Sequence, residues 1–290
     1  MRLFATRTSL ICHRCFGHNG TVAGWGDSST EKCAAVQIGI RAGRSGAGGP
    51  REWPRPPGDT GRVERIVENL AEVEERIARA LARSRRHRSE ITLIAVTKTF
   101  PASATLAAWQ AGLRDFGENY VQEFETKSPL LGPLEDARFH LIGHLQSNKV
   151  NKAVPLFDCV QTVDSARLAG RLSQSRAGAG LPPLDVMLEV KLSDEESKHG
   201  CDPENLAVLV EGVRPLPHLR LLGLMTIPPF FEDPERSRPY FARLRELAVK
   251  HELKALSMGM SNDFEAAIEE GATHIRLGTA LFGRRTKPAG

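Results

Sequence analysis

The sequence predicts a single-domain α/β fold, a (β/α)8 TIM barrel, on three observations. Eight short runs of apolar and β-branched residues recur between positions 91 and 283, and most are followed by a short polar loop and a helical pattern. The first run, ITLIAVTK at 91–98, has no solvated alternate face, the mark of a parallel strand covered on both sides. Too few residues follow the eighth run for a closing helix, whereas a strongly amphipathic segment at 62–86 precedes the first and can complete the outer ring from the other end. The rival fold, an open doubly wound sheet, calls for a glycine fingerprint after its first strand, and VTKTFPAS has no glycine.

Each element has its own signal. In 62–86, Val63, Ile66, Val67, Leu70, Val73, Ile77 and Leu81 recur at helical spacing. Strand one ends in Lys98, and the alanine-rich ASATLAAWQ that follows is helical until Gly112 stops it. The next strands are predicted at 113–119, 138–145, 157–164, 184–193, 219–227, 253–260 and 273–283, with helices between them that include SARLAGRLSQSRAGAG after strand four and SNDFEAAIEEG after strand seven.

Composition bounds the partners. The formal charge is +4, and residues 1–60 hold eight Lys and Arg against four Asp and Glu, so the other 230 residues are formally neutral. That gives no basis for a nucleic-acid partner. No run approaches the roughly 18 apolar residues a membrane span requires. The first 60 residues carry ten glycines and neither helical nor strand period, and read as a disordered or dispensable extension; the barrel is placed at 61–286 and a tail at 287–290. Cys12, Cys15 and Cys33 include one CxxC without the second ordered pair a structural zinc site wants, so no metal is expected. The remaining cysteines, Cys159 and Cys201, are far apart in sequence, which suits a reducing cytoplasm.

In a barrel every strand's carboxyl end opens on one rim, and chemistry is done there. Lys98 stands at such an end, either as a snorkelling side chain with a solvated tip or as a reactive amine. SMGMS (257–261) and RLGT (276–279) follow strands seven and eight, where small residues and exposed N–H groups form a phosphate pocket; the alternative is that their glycines only permit tight packing. Arg276, within an apolar strand, must meet an acceptor, whether a neighbouring carboxylate or a ligand. An amine, an anion cradle and an inward guanidinium together fit pyridoxal 5'-phosphate (PLP), which needs a Schiff-base amine, a phosphate site and a partner for its pyridine nitrogen.

IAVTKTFP, FGENYVQE, FHLIGHLQSNK, VKLSDEESKHG, LLGLMTIPP and LSMGMSNDFEAAIEEGATHIRLGTALFG occur in an order that resembles the pyridoxal phosphate homeostasis proteins, whose barrel is similar to the N-terminal domain of alanine racemase. The resemblance covers about Arg62 to Arg284; the extension has no counterpart in it. It implies that Lys98 forms the Schiff base, that Arg276 faces the pyridine nitrogen, and that Ser257, Met258, Gly278 and Thr279 hold the phosphate, with Asn119 near the cofactor and His140 and Ser261 at the pocket edge. It implies a protein that binds, buffers or delivers PLP with little or no turnover, a monomer or weak dimer whose partners include apo PLP enzymes. The alternative is a PLP-dependent racemase, which needs a second base; the chain has two tyrosines, Tyr120 and Tyr240, to offer.

A chain beginning at Arg62 is therefore expected to be soluble and to show the same absorption spectrum with PLP as the full chain. Loss of either property, read by size-exclusion chromatography and spectrophotometry, would show that the extension contributes to the barrel.

Overall fold

A computed structural model describes residues 60–283, apart from 194 and 196–198. The expectations for the extension, its cysteines and the 287–290 tail lie outside the described residues. Eight parallel strands close into one barrel in sequence order: β1 (Thr92–Val96), β2 (Asp115–Glu118), β3 (Arg138–Leu141), β4 (Cys159–Val163), β5 (Leu184–Glu189), β6 (Leu219–Met225), β7 (Ala255–Met260) and β8 (His274–Leu277). β1 pairs with both β2 and β8, with Ile94 opposite Asp115 on one side and Arg276 on the other.

The outer ring consists of α1 (Thr60–Ser84), α2 (Ala102–Gln110), α3 (Val121–Leu131), α4 (Val150–Ala153), α5 (Ala166–Gly178), α6 (Leu206–Val213), α7 (Arg238–Lys250), α8 (Phe264–Glu269) and α9 (Thr279–Phe282). As the sequence predicts, α1 completes it, packing beside α2, α8 and α9. Ile66, Val73, Ile77 and Leu81 are buried, each such side chain contributing about 1.5–3 kcal/mol. Polar groups fix the seating: Asn69 donates to the Leu281 carbonyl at 2.8 Å, Arg76 pairs with Glu265 at 2.8 Å, and Arg86 donates to the Ile268 and Ala272 carbonyls at 2.9 and 2.8 Å. Val67 departs from the expected face and is 48% exposed, because the buried line runs through 66, 73 and 77, and the next residue lies about 100° around the helix.

The strands are shorter than their apolar runs. Expected at 273–283, the last strand stops at Leu277, and Thr279–Phe282 turn into α9, with the Phe282 and Leu281 N–H groups closing on the Gly278 carbonyl at 2.9 and 3.0 Å. The expected 184–193 strand ends at Glu189, beyond which Val190 makes only an isolated bridge to Cys201. Ladders end where the tilted strands splay at the rim, while side chains beyond that point still face the core.

Inside the barrel, His274 begins β8 with its ring edge-on to His140, centroids 6.5 Å apart. Burial, with the neighbouring His140 adding to it, pushes its pKa down to about 4. A histidine whose folded pKa lies below its unfolded value contributes stability that is present above the unfolded pKa of about 6.5 and is lost as pH falls toward 4. Urea unfolding at pH 7 and pH 5 should show a loss on acidification of up to roughly 2 kcal/mol from this group. His274→Gln should flatten that pH dependence relative to the parent; an unchanged slope would mean that the ring does not titrate with folding.

Candidate functional site

The carboxyl ends of β1, β2, β6, β7 and β8 enclose a cavity of about 300 Å³. Lys98 and Asn119 line it from just beyond β1 and β2, Ile227 and Pro229 to Phe231 from the loop after β6, Met260 to Asp263 from the end of β7 and the turn after it, Arg276 from β8, and Gly278 and Thr279 from the start of α9.

The β1 end is set by charges buried behind it. Glu118 is fully buried; its Oε1 accepts from Thr97 Oγ1 and from Lys127 Nζ, both at 2.7 Å. Lys127 also donates to the Thr97 carbonyl at 2.8 Å, so α3 grips the backbone one residue before Lys98. Thr99, one residue after it, is left-handed at φ 63°, a conformation costly for a β-branched residue, and its N–H donates to Glu123 at 2.5 Å. Lys98 is thus clamped on both flanks by main-chain hydrogen bonds. Burial raises the Glu118 carboxyl above its ordinary range, Lys127 opposing the shift, and the Glu118 Oε2 atom has no hydrogen-bond partner.

Asn119 occupies its place because residue 143 has no side chain: a Cβ on Gly143 would lie 2.3 Å from the Asn119 carbonyl oxygen. On the opposite side the β7–β8 register shifts between Ser257 and Met260, and Gly259 takes φ 91° there. That bulge turns Met260 and Ser261 to the cavity. The Met260 N–H is tied to Asp263 Oδ1 at 2.7 Å, and Ser261 Oγ accepts from the Gly278 and Ala280 N–H groups at 3.3 and 3.2 Å. Hydroxyl and N–H groups thus converge where β7 and β8 end, the chemistry of an anion cradle.

Arg276 is 4% exposed. Its Nη1 donates to Ser257 Oγ at 2.7 Å and its Nη2 to the Thr226 carbonyl at 2.9 Å, both neutral acceptors. Among the described residues no carboxylate makes an ion pair with it. Burial lowers its pKa to about 10, Asp263 and Glu189 opposing at longer range, so it remains a cation at neutral pH.

Of the residues expected at the site, Lys98, Asn119, Ser261, Arg276, Gly278 and Thr279 come together on the cavity wall. Ser257, Met258 and His140 lie outside the lining. Ser257 is fully buried beneath Arg276, Met258 faces outward into the core between strand and helices, and His140 is 1% exposed in the barrel interior. The alternation of β7 explains the first two, because the strand continues to Met260 before the chain turns. His144, Gln146, Asn148 and Asp164, also at the rim, border a separate depression, with the His144 ring stacked on His199 at 3.8 Å. Sequence reasoning did not single out Gln161, Lys127 or the Ile227–Phe231 wall. Gln161, a polar residue within the buried run CVQTV, carries the same signal that marked Arg276.

Residues 69–286 match the family model of the alanine racemase N-terminal domain. A pyridoxal phosphate homeostasis protein of Pseudomonas aeruginosa is 50% identical over 222 residues, covering 76% of this chain and 96% of that protein. The chain belongs to the pyridoxal phosphate homeostasis protein family. The family member of Escherichia coli K12 is 44% identical over 76% of this chain and 97% of its own length. Among solved structures, PipY of Synechococcus elongatus with PLP bound is 38% identical with a TM-score of 0.67, covering 75% of this chain and all of that one. Alanine racemase of Clostridium difficile 630, at 11% identity and a TM-score of 0.61 over 78% of this chain and 58% of that one, shares the fold.

The clamp behind Lys98 is open to test. Lys127→Met leaves the Glu118 carboxylate buried without its cation and should destabilise the protein by about 3–5 kcal/mol in urea unfolding. The double variant Glu118→Gln, Lys127→Met should recover most of that loss; equal losses in both would show that the pair does not act as a unit.

Proposed function

We propose that this protein binds PLP in the cavity at the β1, β7 and β8 ends, holds it through a Schiff base on Lys98, and buffers or delivers it with little or no turnover. The observation that carries the reading is the setting of Arg276, a buried cation whose protein partners are two neutral oxygens and which faces a cavity shared with an amine and an anion cradle. Such a charge is costly unless a ligand atom completes its shell. The pyridine nitrogen, a neutral acceptor, suits it, and the phosphate suits Ser261 and the β8 end. Lys98 would supply the amine that condenses with the aldehyde with loss of water, and an incoming amine would displace it, the C=N bond to Lys98 being replaced by one to the new amine.

Low turnover follows from the same residue. A guanidinium donates and cannot give up its proton at neutral pH, so the ring nitrogen it meets stays unprotonated and PLP supplies weak electron withdrawal there. A racemase would also need a second base. Neither tyrosine lines the cavity, and among the described residues its one carboxylate is Asp263, already accepting from the Met260 N–H. Relatives' printed names support homeostasis rather than racemisation. A cytoplasmic setting and apo PLP enzymes as recipients belong to this proposal; among the described residues no helix is long and apolar enough to cross a membrane.

Borohydride reduction of the loaded protein, followed by peptide mass mapping, should place the cofactor on Lys98; a different lysine, or no uptake, overturns the reading. In parallel, amino acids in deuterated water should exchange their α-protons slowly while cofactor passes to an apo-enzyme. Rapid racemisation of any amino acid without transfer would make this an enzyme.

A further inference from the structure

A chain of buried polar side chains leads from Arg276 into the barrel. Ser257 Oγ, which accepts from Arg276 at 2.7 Å, lies 2.6 Å from Gln161 Oε1; Gln161 Nε2 is 3.2 Å from His140 Nδ1; His140 Nε2 is 2.9 Å from Asp115 Oδ1. Gln161 and Ser257 are fully buried and His140 is 1% exposed, while the Asp115 side chain, at the amino end of β2, is 23% exposed. Five strands contribute to the chain, and none of His140, Gln161 and Ser257 lines the cavity.

The chain has one direction. A guanidinium only donates, so Ser257 Oγ must accept from it, and the single hydroxyl proton goes to Gln161 Oε1. That places the amide NH2 against His140 Nδ1, which must accept, and the ring proton is then on Nε2, donated to the Asp115 carboxylate. Flipping the amide would spend both Ser257 lone pairs on donors and leave the serine proton without an acceptor in this chain. With Nη1 committed to this chain and Nη2 to the Thr226 carbonyl, the guanidinium plane is fixed at two corners and its remaining N–H groups are left for the cavity.

We propose that Gln161 and His140 are positioning residues for the cofactor ring: acting through Ser257, they set the direction in which Arg276 presents its donors to the pyridine nitrogen. The inference rests on the reading of the cavity as a PLP site, and it adds two residues that lie outside the cavity lining. A donor fixed before binding loses less freedom when its acceptor arrives, so retention of the ring depends on the whole chain.

The test uses the full protein and two nitrogen NMR readouts. In the protein without cofactor, ring-15N histidine labelling should show His140 as the Nε2–H tautomer, and Gln161→Leu should move its Nδ1 signal. In protein loaded with PLP labelled at the pyridine nitrogen, Gln161→Leu and His140→Phe should shift that nitrogen's signal and speed cofactor release about fivefold, the loss of one neutral hydrogen bond. Gln161→Glu keeps an acceptor for Ser257 and should retain the parent signal. A packing role alone would make that buried carboxylate the more damaging change, so a larger shift in Gln161→Glu than in Gln161→Leu overturns the proposal. An unmoved pyridine signal in Gln161→Leu and His140→Phe, with Arg276→Gln still moving it, also overturns the proposal and leaves the PLP site standing. If the parent takes up no PLP, or Arg276→Gln leaves the nitrogen signal unmoved, the site reading itself fails whatever the histidine tautomer shows.

Discussion

A guanidinium buried at 4% exposure, with two neutral oxygens for partners, is the constraint around which the upper half of the barrel is arranged. Removing such a charge from water is expensive, and an adjacent carboxylate would normally compensate it. Here the residue just after β6, Thr226, supplies its carbonyl, β7 a hydroxyl, and β4 and β3 the residues that hold that hydroxyl in place. The acceptors are directional but neutral, so the guanidinium keeps its full charge toward the cavity.

On the opposite wall the backbone on both sides of Lys98 is fixed by hydrogen bonds from α3. The acids near the end of β1 are turned to other work. Glu118 accepts from Thr97 and Lys127, while Glu123 takes the N–H of the left-handed Thr99. The structural lysine, Lys127, is thereby distinguished from Lys98, which reaches the cavity, although both are lysines close to the same strand end. Backbone proximity provides the rest: only glycine at 143 allows β3 to approach Asn119, and only the Gly259 bulge brings Met260 and Ser261 to face β8.

Closure of the ring by α1 ties the site to the start of the barrel. Asn69 hydrogen-bonds the Leu281 carbonyl of α9, the short helix whose first turn presents its N–H groups to Ser261, while Arg76 and Arg86 hold α8, which follows the β7 turn. A helix that is early in sequence therefore buttresses the two segments that follow β7 and β8 at the cavity. Its apolar stripe is as much a part of the site as the loops are.

The local pattern alone determined the barrel, the helix that completes it and the charged residues at the end of β1 and within β8, because strand period, helix period and a charge inside an apolar run are visible one segment at a time. Lys98 and Arg276 were legible for that reason: each is a residue whose neighbours in sequence cannot satisfy it. Tertiary structure decided which end of SMGMS meets the cavity, since that depends on where a bulge at Gly259 ends the ladder, and it decided that His140 and Ser257 stand behind the site. Gln161, 96 residues from its partner Ser257, acquires a role only when β4 and β7 face each other across the closed barrel. Hydrogen bonds between residues so far apart leave no periodicity in the chain, and closure alone brings them within 3 Å.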